Sequence, residues 1–264
     1  MDKSLTQAVA KLAEEVALYI KTEQKKFKTS SVEIKSLNSL VSYVDRTAEE
    51  KLVEGLTKLL PGIGFITEEG TAETIDSKAY WIIDPLDGTT NFIHGLPLFA
   101  VSIGLLEENE LLSGVVHEVG YSESFTSWKG GGAYCNGERI RVSSCSSMAS
   151  GLFATGFPYY DYGRMEAFME LLTDFFQGSR GLRRLGSAAT DLAWVACGRF
   201  EGFFEYGLSA WDVSAGALLV KEAGGLLCDF EGNDNYLFGG SLISANNAVF
   251  EEFKKTIQNR MLKV

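Results

Sequence analysis

Two aspartates separated by a proline and a leucine stand where an apolar run of the chain ends. Asp84 and Asp87 follow the run Trp81–Ile83, and Pro85 lies between them. Proline fixes its own φ, so the two carboxylates are held in a defined relation to one another. In an exposed turn two like charges only repel each other, whereas a divalent cation binds such a pair. The pair predicts a metal site with hard oxygen ligands, which favours Mg²⁺ or Mn²⁺ over zinc.

The residues directly after this pair are those expected of a phosphate-binding turn. Gly88 has no side chain, so a ligand can approach its backbone closely. Thr89 and Thr90 follow at the start of a short helix, where consecutive backbone N–H groups favour an anion. Metal ligands and a phosphate site within a few residues predict metal-dependent phosphoryl chemistry.

Three further carboxylates follow a strand or open a helix. Glu68 and Glu69 come after the short apolar run 63–66, and Asp212 follows Trp211 at the start of a helical pattern. A single acid in such a place is most often a helix cap or a solvated turn residue. The four cysteines form no CxxC pair and the chain has two histidines, so neither a Cys/His zinc site nor a catalytic Cys–His pair is expected.

Composition narrows the class of protein. The chain has 264 residues, of which 45% are hydrophobic and 22% charged, as in an ordinary globular protein. The net charge of −11 gives no basic footprint for nucleic acid. No run reaches the roughly 18 uncharged apolar residues of a membrane span, and the N-terminus lacks a signal-peptide core. We therefore expect a cytoplasmic protein with reduced thiols and no nucleic-acid or membrane partner.

The elements that must position these acids fall into two halves, residues 1–144 and 145–264. Helical periodicity covers residues 4–27, and Asp45 stands at the N-cap position of a second helix. Strands without intervening helices then predict an antiparallel sheet, at 63–66, 80–83, 98–106, 111–117 and 122–128. After about Ser143 strands and helices alternate as in α/β proteins, with strands at 152–155, 181–185 and 200–206 and helices at 164–177, 187–197 and 211–223.

Three separated motifs resemble, in order and spacing, those of the inositol monophosphatase family. They are Glu68-Glu69, the run Trp81–Phe92, and the run Trp211–Gly216 continuing to Glu222–Gly225. The resemblance covers nearly the whole chain, from Lys35 and Asp45 to Ser244–Asn247. It implies a mixed α+β and α/β fold, the layered α-β-α-β-α sandwich of the inositol monophosphatase and fructose-bisphosphatase type. A homodimer is also implied.

The resemblance implies a role for each acidic position. The metal ligands would be Glu68, Glu69, Asp84, Asp87, Asp212 and the backbone carbonyl of Leu86. Asp84 would bridge two Mg²⁺ ions, and a third, weaker ion would bind near Glu68 and Glu69. Thr89 would orient the attacking water together with Glu68, and Asp45 would accept a hydrogen bond from the Thr89 hydroxyl. This is the two-metal pattern of phosphoryl transfer, in which Mn²⁺ can substitute for Mg²⁺.

The substrate contacts that the resemblance implies are Asp87, Gly88, Thr89, Gly186, Ser187, Ala188, Glu205 and Asp212. Lys35 resembles a family lysine on a loop near the metals; a solvated lysine is the alternative. Two segments depart from the family pattern. Ser39–Ser42 replaces an Asp-Leu-Val-Thr run, and Ser209 with Ala210 replaces the basic residue and proline of many bacterial relatives.

The expected function is a Mg²⁺-dependent phosphomonoesterase acting on inositol monophosphate or a similar polyol phosphate, with inhibition by Li⁺. Fructose-bisphosphatase, histidinol phosphatase and nucleotide phosphatase activities are alternatives within the same fold. A non-enzymatic scaffold is a further alternative, which the loss of a metal carboxylate would indicate. All five acidic ligands are present in the sequence.

Overall fold

The computed structural model describes residues 3–27, 32–36, 39–73, 75–158 and 162–262. Its α-helices are α1 (Lys3–Gln24), α2 (Tyr43–Leu59), α3 (Thr89–Ile93), α4 (Met165–Gly178), α5 (Ala188–Ala196), α6 (Ala210–Glu222) and α7 (Phe250–Met261). Within this part of the chain no helix combines the length and apolar character that crossing a bilayer requires.

A large sheet occupies the first part of the chain. Its strands lie side by side in chain order: β3 (Gly64–Thr67), β4 (Ala79–Asp87), β5 (Ala100–Glu107), β6 (Glu110–Glu118), β7 (Glu123–Trp128), β8 (Gly132–Cys135) and β9 (Glu138–Ile140). Every neighbouring pair is antiparallel except β3 and β4, which are parallel. A separate hairpin pairs β1 (Val32–Ser36) with β2 (Ser39–Ser42).

A smaller mixed sheet occupies the second part. Its strands are β10 (Leu152–Thr155), β11 (Gly181–Arg183), β12 (Gly202–Tyr206), β13 (Leu226–Cys228) and β14 (Ser241–Ala245). Their order across the sheet is β11-β10-β12-β14-β13. The first three strands run parallel, and β14 is antiparallel to both of its neighbours.

The helices form three layers that alternate with the two sheets. Helices α1 and α2 pack on the outer face of the large sheet, α5 and α6 lie between the sheets, and α4 and α7 cover the small sheet. Each layer buries a continuous apolar cluster against its sheet, as layered folds require. The expected α-β-α-β-α sandwich is therefore confirmed.

The structure corrects two local predictions about the elements that carry the acids. Helix α2 begins at Tyr43 and its N-cap is Ser42, so Asp45 is the third helical residue rather than the cap. Strand β4 does not end at Ile83, as the pattern predicted, but continues through Asp87. The sequence pattern did not predict β1, β2, β8, β9, β13, β14 or α7.

Candidate active site

A β-bulge at the end of β4 brings Asp84 and Asp87 to the same side of the strand. Asp84 pairs with Ser102 and Asp87 with Ala100, so β4 contains one residue more than β5 over this stretch. In a regular strand, residues three apart point to opposite faces; the extra residue of the bulge cancels that alternation. Pro85 lies in the bulge, where no ladder N–H is needed from it.

Helix α6 supplies the third carboxylate of this cluster. Asp212 occupies the third position of α6, and the N–H of the N-cap residue Ser209 donates to its Oδ2 at 2.6 Å. Because α6 packs against β4 and β5 as well as β6, its first turn meets the end of β4. One carboxylate oxygen from each of Asp84, Asp87 and Asp212 lies within 4.8 Å of the others.

Burial and mutual repulsion make this cluster electrostatically unfavourable without a cation. Burial raises the pKa of Asp84 and of Asp212 well above the ordinary range, and neighbouring carboxylates raise both further. Burial raises the pKa of Asp87 to about 6. Close carboxylates in a desolvated site are stabilised by a divalent cation, and an all-oxygen donor set matches Mg²⁺ or Mn²⁺. The residues present therefore fit the expected metal.

Glu68 lies beside the cluster because β3 runs parallel to β4. Thr67 is level with Ile83, and the Glu68 N–H donates to the Ile83 carbonyl oxygen at 3.3 Å. The Glu68 charge contributes to the raised pKa of Asp84 and of Asp212. The sequence motifs thus meet at one place, although they come from three separate segments.

A buried glutamate that the sequence analysis missed holds the segment carrying Glu68 and Glu69. Glu49 Oε2 accepts the Glu69 N–H at 2.8 Å. Its Oε1 accepts the Thr71 N–H at 2.8 Å and the Thr71 hydroxyl at 2.9 Å. Glu49 is fully buried on α2, one turn after Asp45. No local sequence signal distinguishes Glu49 from a solvated helix acid, because its partners Glu69 and Thr71 lie in another segment of the chain.

Asp45 connects α2 to the residue expected to orient water. The Thr89 hydroxyl lies 3.0 Å from Asp45 Oδ1 and 3.1 Å from the Leu86 carbonyl oxygen, and both are acceptors. The other oxygen, Asp45 Oδ2, accepts the Ser42 N–H at 2.9 Å and the Ser42 hydroxyl at 2.7 Å. Ser42, which departs from the family pattern, thus completes a capping box.

Gly88 forms the turn between Asp87 and α3. Its φ of 97° lies in the left-handed region, which a side chain disfavours. A Cβ there would also approach the carbonyl oxygens of Leu98 and Gly186 to 3.0 and 3.1 Å. The turn therefore requires glycine, and it leads directly into Thr89, the first residue of α3.

The start of α5 fixes the orientation of Asp87. Asp87 Oδ2 accepts the Ser187 hydroxyl and the Ala189 N–H, both at 2.7 Å, and the Ala188 N–H also stabilises the ionised form. Ser187 is 1% exposed and is the N-cap of α5. The segment expected to contact substrate through Gly186, Ser187 and Ala188 thus lies beside the carboxylates, and Ser187 acts on them directly.

Glu205 projects from β12 toward the same cluster. Burial raises its pKa to about 8, while the Arg184 guanidinium lowers it and Asp87 raises it. A protonated carboxyl offers a donor as well as an acceptor. The fully buried Asp191 of α5, another residue that the sequence analysis missed, lies near enough for the Glu205 charge to raise its pKa. Lys35, which was expected on a loop, lies in strand β1, and its side chain is outside the described part of the chain.

Comparisons with known proteins agree with this geometry. The model of the inositol monophosphatase family matches residues 1–262. An inositol-1-monophosphatase of Mesorhizobium japonicum is 42% identical over 86% of this chain and 86% of its own length. The Nus factor SuhB of Pasteurella multocida is 42% identical over 85% of each chain.

Solved structures agree with the sequence comparisons. The extragenic suppressor protein suhB of Bartonella henselae superimposes with a TM-score of 0.92 at 34% identity, covering 97% of this chain and 99% of the other. An IMPase of Thermotoga maritima gives a TM-score of 0.87 at 32% identity and covers 96% of each chain. Fold, motifs and overall similarity coincide along the same residues, and the chain belongs to the inositol monophosphatase family.

Proposed function

We propose that the protein is a Mg²⁺-dependent phosphomonoesterase that hydrolyses inositol monophosphate or a related polyol phosphate. The observation that carries the proposal is the convergence of Asp84, Asp87 and Asp212, with carboxylate oxygens within 4.8 Å of one another. These three acids come from two distant segments, and two of them are buried; they raise the free energy of the folded state unless they bind a cation. Family membership supports phosphate ester hydrolysis as the reaction.

The proposed ligands divide between two main metal positions. Glu68, Asp84 and the Leu86 carbonyl oxygen would hold one ion, and Asp84, Asp87 and Asp212 the other. Glu68 and Glu69 would bind a third, weaker ion. When bound, the cations stabilise charge on the phosphoryl and leaving oxygens and lower the pKa of water.

Protein groups position the reactants in the proposed mechanism. Thr89 and Glu68 orient a water molecule toward phosphorus, and Asp45 orients Thr89 by accepting its hydroxyl hydrogen at 3.0 Å. The water oxygen forms a bond to phosphorus, the P–O bond to the alcohol breaks, and the alcohol leaves with a proton from the water. Backbone N–H groups of Gly88 and Thr89 bind the phosphate oxygens. Alignment of this kind supplies a large part of the rate acceleration in phosphoryl transfer.

Substrate hydroxyls would contact Glu205, Asp212 and the Gly186–Ala188 segment. Ser209 and Ala210 supply no cation from their own segment to receive a second phosphate group, and the nearby Arg184 guanidinium already faces the carboxyl groups of Asp87 and Glu205. We therefore propose that polyol monophosphates are preferred to bisphosphates. Free thiols at all four cysteines fit the proposed cytoplasmic location. A homodimer and inhibition by Li⁺ are further proposals that follow from family membership.

A phosphate-release assay with Mg²⁺ tests the proposal. The panel contains inositol 1-phosphate, fructose 1,6-bisphosphate, adenosine 3′,5′-bisphosphate and histidinol phosphate. We expect the highest kcat/KM for inositol 1-phosphate and no activity in EDTA. A bisphosphate preferred by tenfold, about 1.4 kcal/mol in transition-state binding, would contradict the substrate class and leave the phosphatase assignment in place. Absence of hydrolysis across the panel would contradict both.

A non-catalytic role is a second candidate function, because several relatives are named Nus factor SuhB. They match this chain as closely as those named inositol-1-monophosphatase, with 42% identity to one example of each. A purely non-catalytic role does not require the acidic cluster. Retention of all five acidic ligands therefore favours a catalytic function, to which a second role could be added.

A further inference from the structure

Gly156 lies beside Glu205, at the point where β10 ends. Strands β10 and β12 are parallel, with Thr155 level with Phe204. Gly156 and Glu205 are the next residues along the two chains, so they lie side by side. Both residues are buried.

The Glu205 carboxyl group occupies the volume that a side chain at position 156 would need. A Cβ on Gly156 would lie 1.9 Å from Glu205 Cδ, 1.9 Å from Oε1 and 2.1 Å from Oε2. These are the three nearest atoms, so the conflict is with this carboxyl group first. The φ of Gly156 is outside the left-handed region, so its backbone conformation suits any residue. A side chain at position 156 would therefore have to displace the Glu205 carboxyl group.

The surroundings of Glu205 leave it little freedom to adapt. It is 9% exposed. The charges of Asp87, Asp191 and Asp212 are coupled to its own, and Arg184 is the cation that lowers its pKa. A carboxyl group displaced from Gly156 would change its distance to these groups and to any substrate hydroxyl.

We propose that Gly156 is a positioning residue that sets substrate preference. Because Gly156 has no side chain, the Glu205 carboxyl group can occupy its observed position in the pocket. This inference rests on the proposed function, because it assigns Glu205 to substrate hydroxyls. Gly156 acts through Glu205 and does not itself touch the reacting atoms. A small displacement of a positioning group can cost up to about 100-fold in rate.

The test compares Gly156→Ala, Glu205→Ala and the double variant on two substrates, inositol 1-phosphate and phenyl phosphate. Phenyl phosphate has no hydroxyl next to the ester. We expect Gly156→Ala to lower kcat/KM for inositol 1-phosphate at least tenfold more than for phenyl phosphate, mainly through KM. In the Glu205→Ala background the same substitution should cost less than twofold, because the conflicting carboxyl is gone. Gly178→Ala, where a Cβ would meet no atom within 4 Å, is the matched control.

Thermal unfolding gives a readout that does not depend on activity. We expect Gly156→Ala to lower Tm, and Gly156→Ala/Glu205→Ala to recover most of that loss. An unchanged substrate ratio in Gly156→Ala, or an equal loss of Tm in both backgrounds, overturns the inference. A wild-type chain that cleaves neither ester contradicts the proposed function instead, and the Tm cycle still decides whether Gly156 and Glu205 are coupled.

Discussion

Asp87 is a carboxylate on which three parts of the fold converge. The bulge of β4 presents it, the cluster with Asp84 and Asp212 surrounds it, and Ser187 and Ala189 at the start of α5 donate to its Oδ2. Because two donors bind Oδ2, the direction in which the second carboxylate oxygen, Oδ1, points is fixed. Loss of the negative charge of Asp87 should therefore have a large effect on phosphate release.

We expect Asp87→Asn to lower kcat for phosphate release at least about 100-fold, because it removes one charge that stabilises the transition state through the cation. Isothermal titration with Mn²⁺ should show weaker binding in the same variant. The exposed Asp234→Asn is the matched control and should retain full activity. Near-normal turnover in Asp87→Asn would rule out the proposed metal site.

Several residues of the site could be predicted from the sequence, because short local motifs indicate their chemistry. Asp84 and Asp87 flank a proline, and Asp212 opens a helix. Glu49 and Gly156 escaped prediction because their roles depend on neighbours distant in sequence. Ser42 and Ser209 each begin a Ser-x-x-Asp box, a local signal that identifies them as caps rather than as simple departures from the family pattern.

At the scale of elements, α2 supports two parts of the site from one face. Asp45 accepts the hydroxyl of Thr89 on α3, and Glu49, one turn later, accepts N–H groups of Glu69 and Thr71. Both acids are buried. Helix α2 therefore connects the turn at Gly88 and Thr89 to the segment carrying Glu68.

We expect Asp45→Asn and Thr89→Ala to be non-additive in a double-mutant cycle on kcat. Asp45→Asn removes the negative charge of the acceptor and Thr89→Ala removes the donor of the same hydrogen bond, so the double variant should lose little more than Thr89→Ala alone. Metal affinity should change less than turnover in both single variants. Additive losses would mean that Asp45 serves only the capping box with Ser42.

We expect Glu49→Gln to weaken Mn²⁺ binding and to speed hydrogen exchange at the amides of Glu69 and Thr71. The two Glu49 oxygens accept three hydrogen bonds, and in Gln one of these oxygens is replaced by an NH₂ group, which places a donor against an N–H donor. The exposed neighbour Glu50→Gln is the matched control. Unchanged exchange at both amides would show that the segment is held by other contacts.

For the whole molecule, the site lies where the large sheet meets the helices between the sheets. Strand β4 provides Asp84 and Asp87, whereas α5 and α6 provide Ser187 and Asp212. The alternation of strands and helices in the second half was readable from the sequence. The order β11-β10-β12-β14-β13 was not, because β12 pairs with β14 across the intervening α6 and β13.

The buried acids make the effect of Mg²⁺ on stability depend on pH. Their native pKa values are raised, to about 6 for Asp87 and about 8 for Glu205, so the native metal-free protein retains protons that the unfolded chain has lost. Its stability therefore falls as pH rises from the ordinary carboxyl pKa through these values. Mg²⁺ bound at the proposed site would replace the protons of Asp84, Asp87 and Asp212, so we expect the Tm difference between Mg²⁺ and EDTA to be larger at pH 8 than at pH 5.5.

Differential scanning calorimetry in both conditions measures this difference. Asp87→Asn should reduce it at pH 8, because one charged ligand is absent. An equal Mg²⁺ effect at the two pH values would indicate that the cation acts elsewhere on the protein.

The late position of α6 in the chain sets when, during synthesis, the carboxylates presented by the β4 bulge can be joined by Asp212. All strands of the large sheet leave the ribosome before α5 and α6, which bring Ser187 and Asp212. A nascent chain that ends before Ala210 has two of the three clustered carboxylates and lacks the third. At the proposed metal site, high-affinity cation binding would therefore follow the docking of α6, and the ion would stabilise the finished fold instead of acting as a template for its first half.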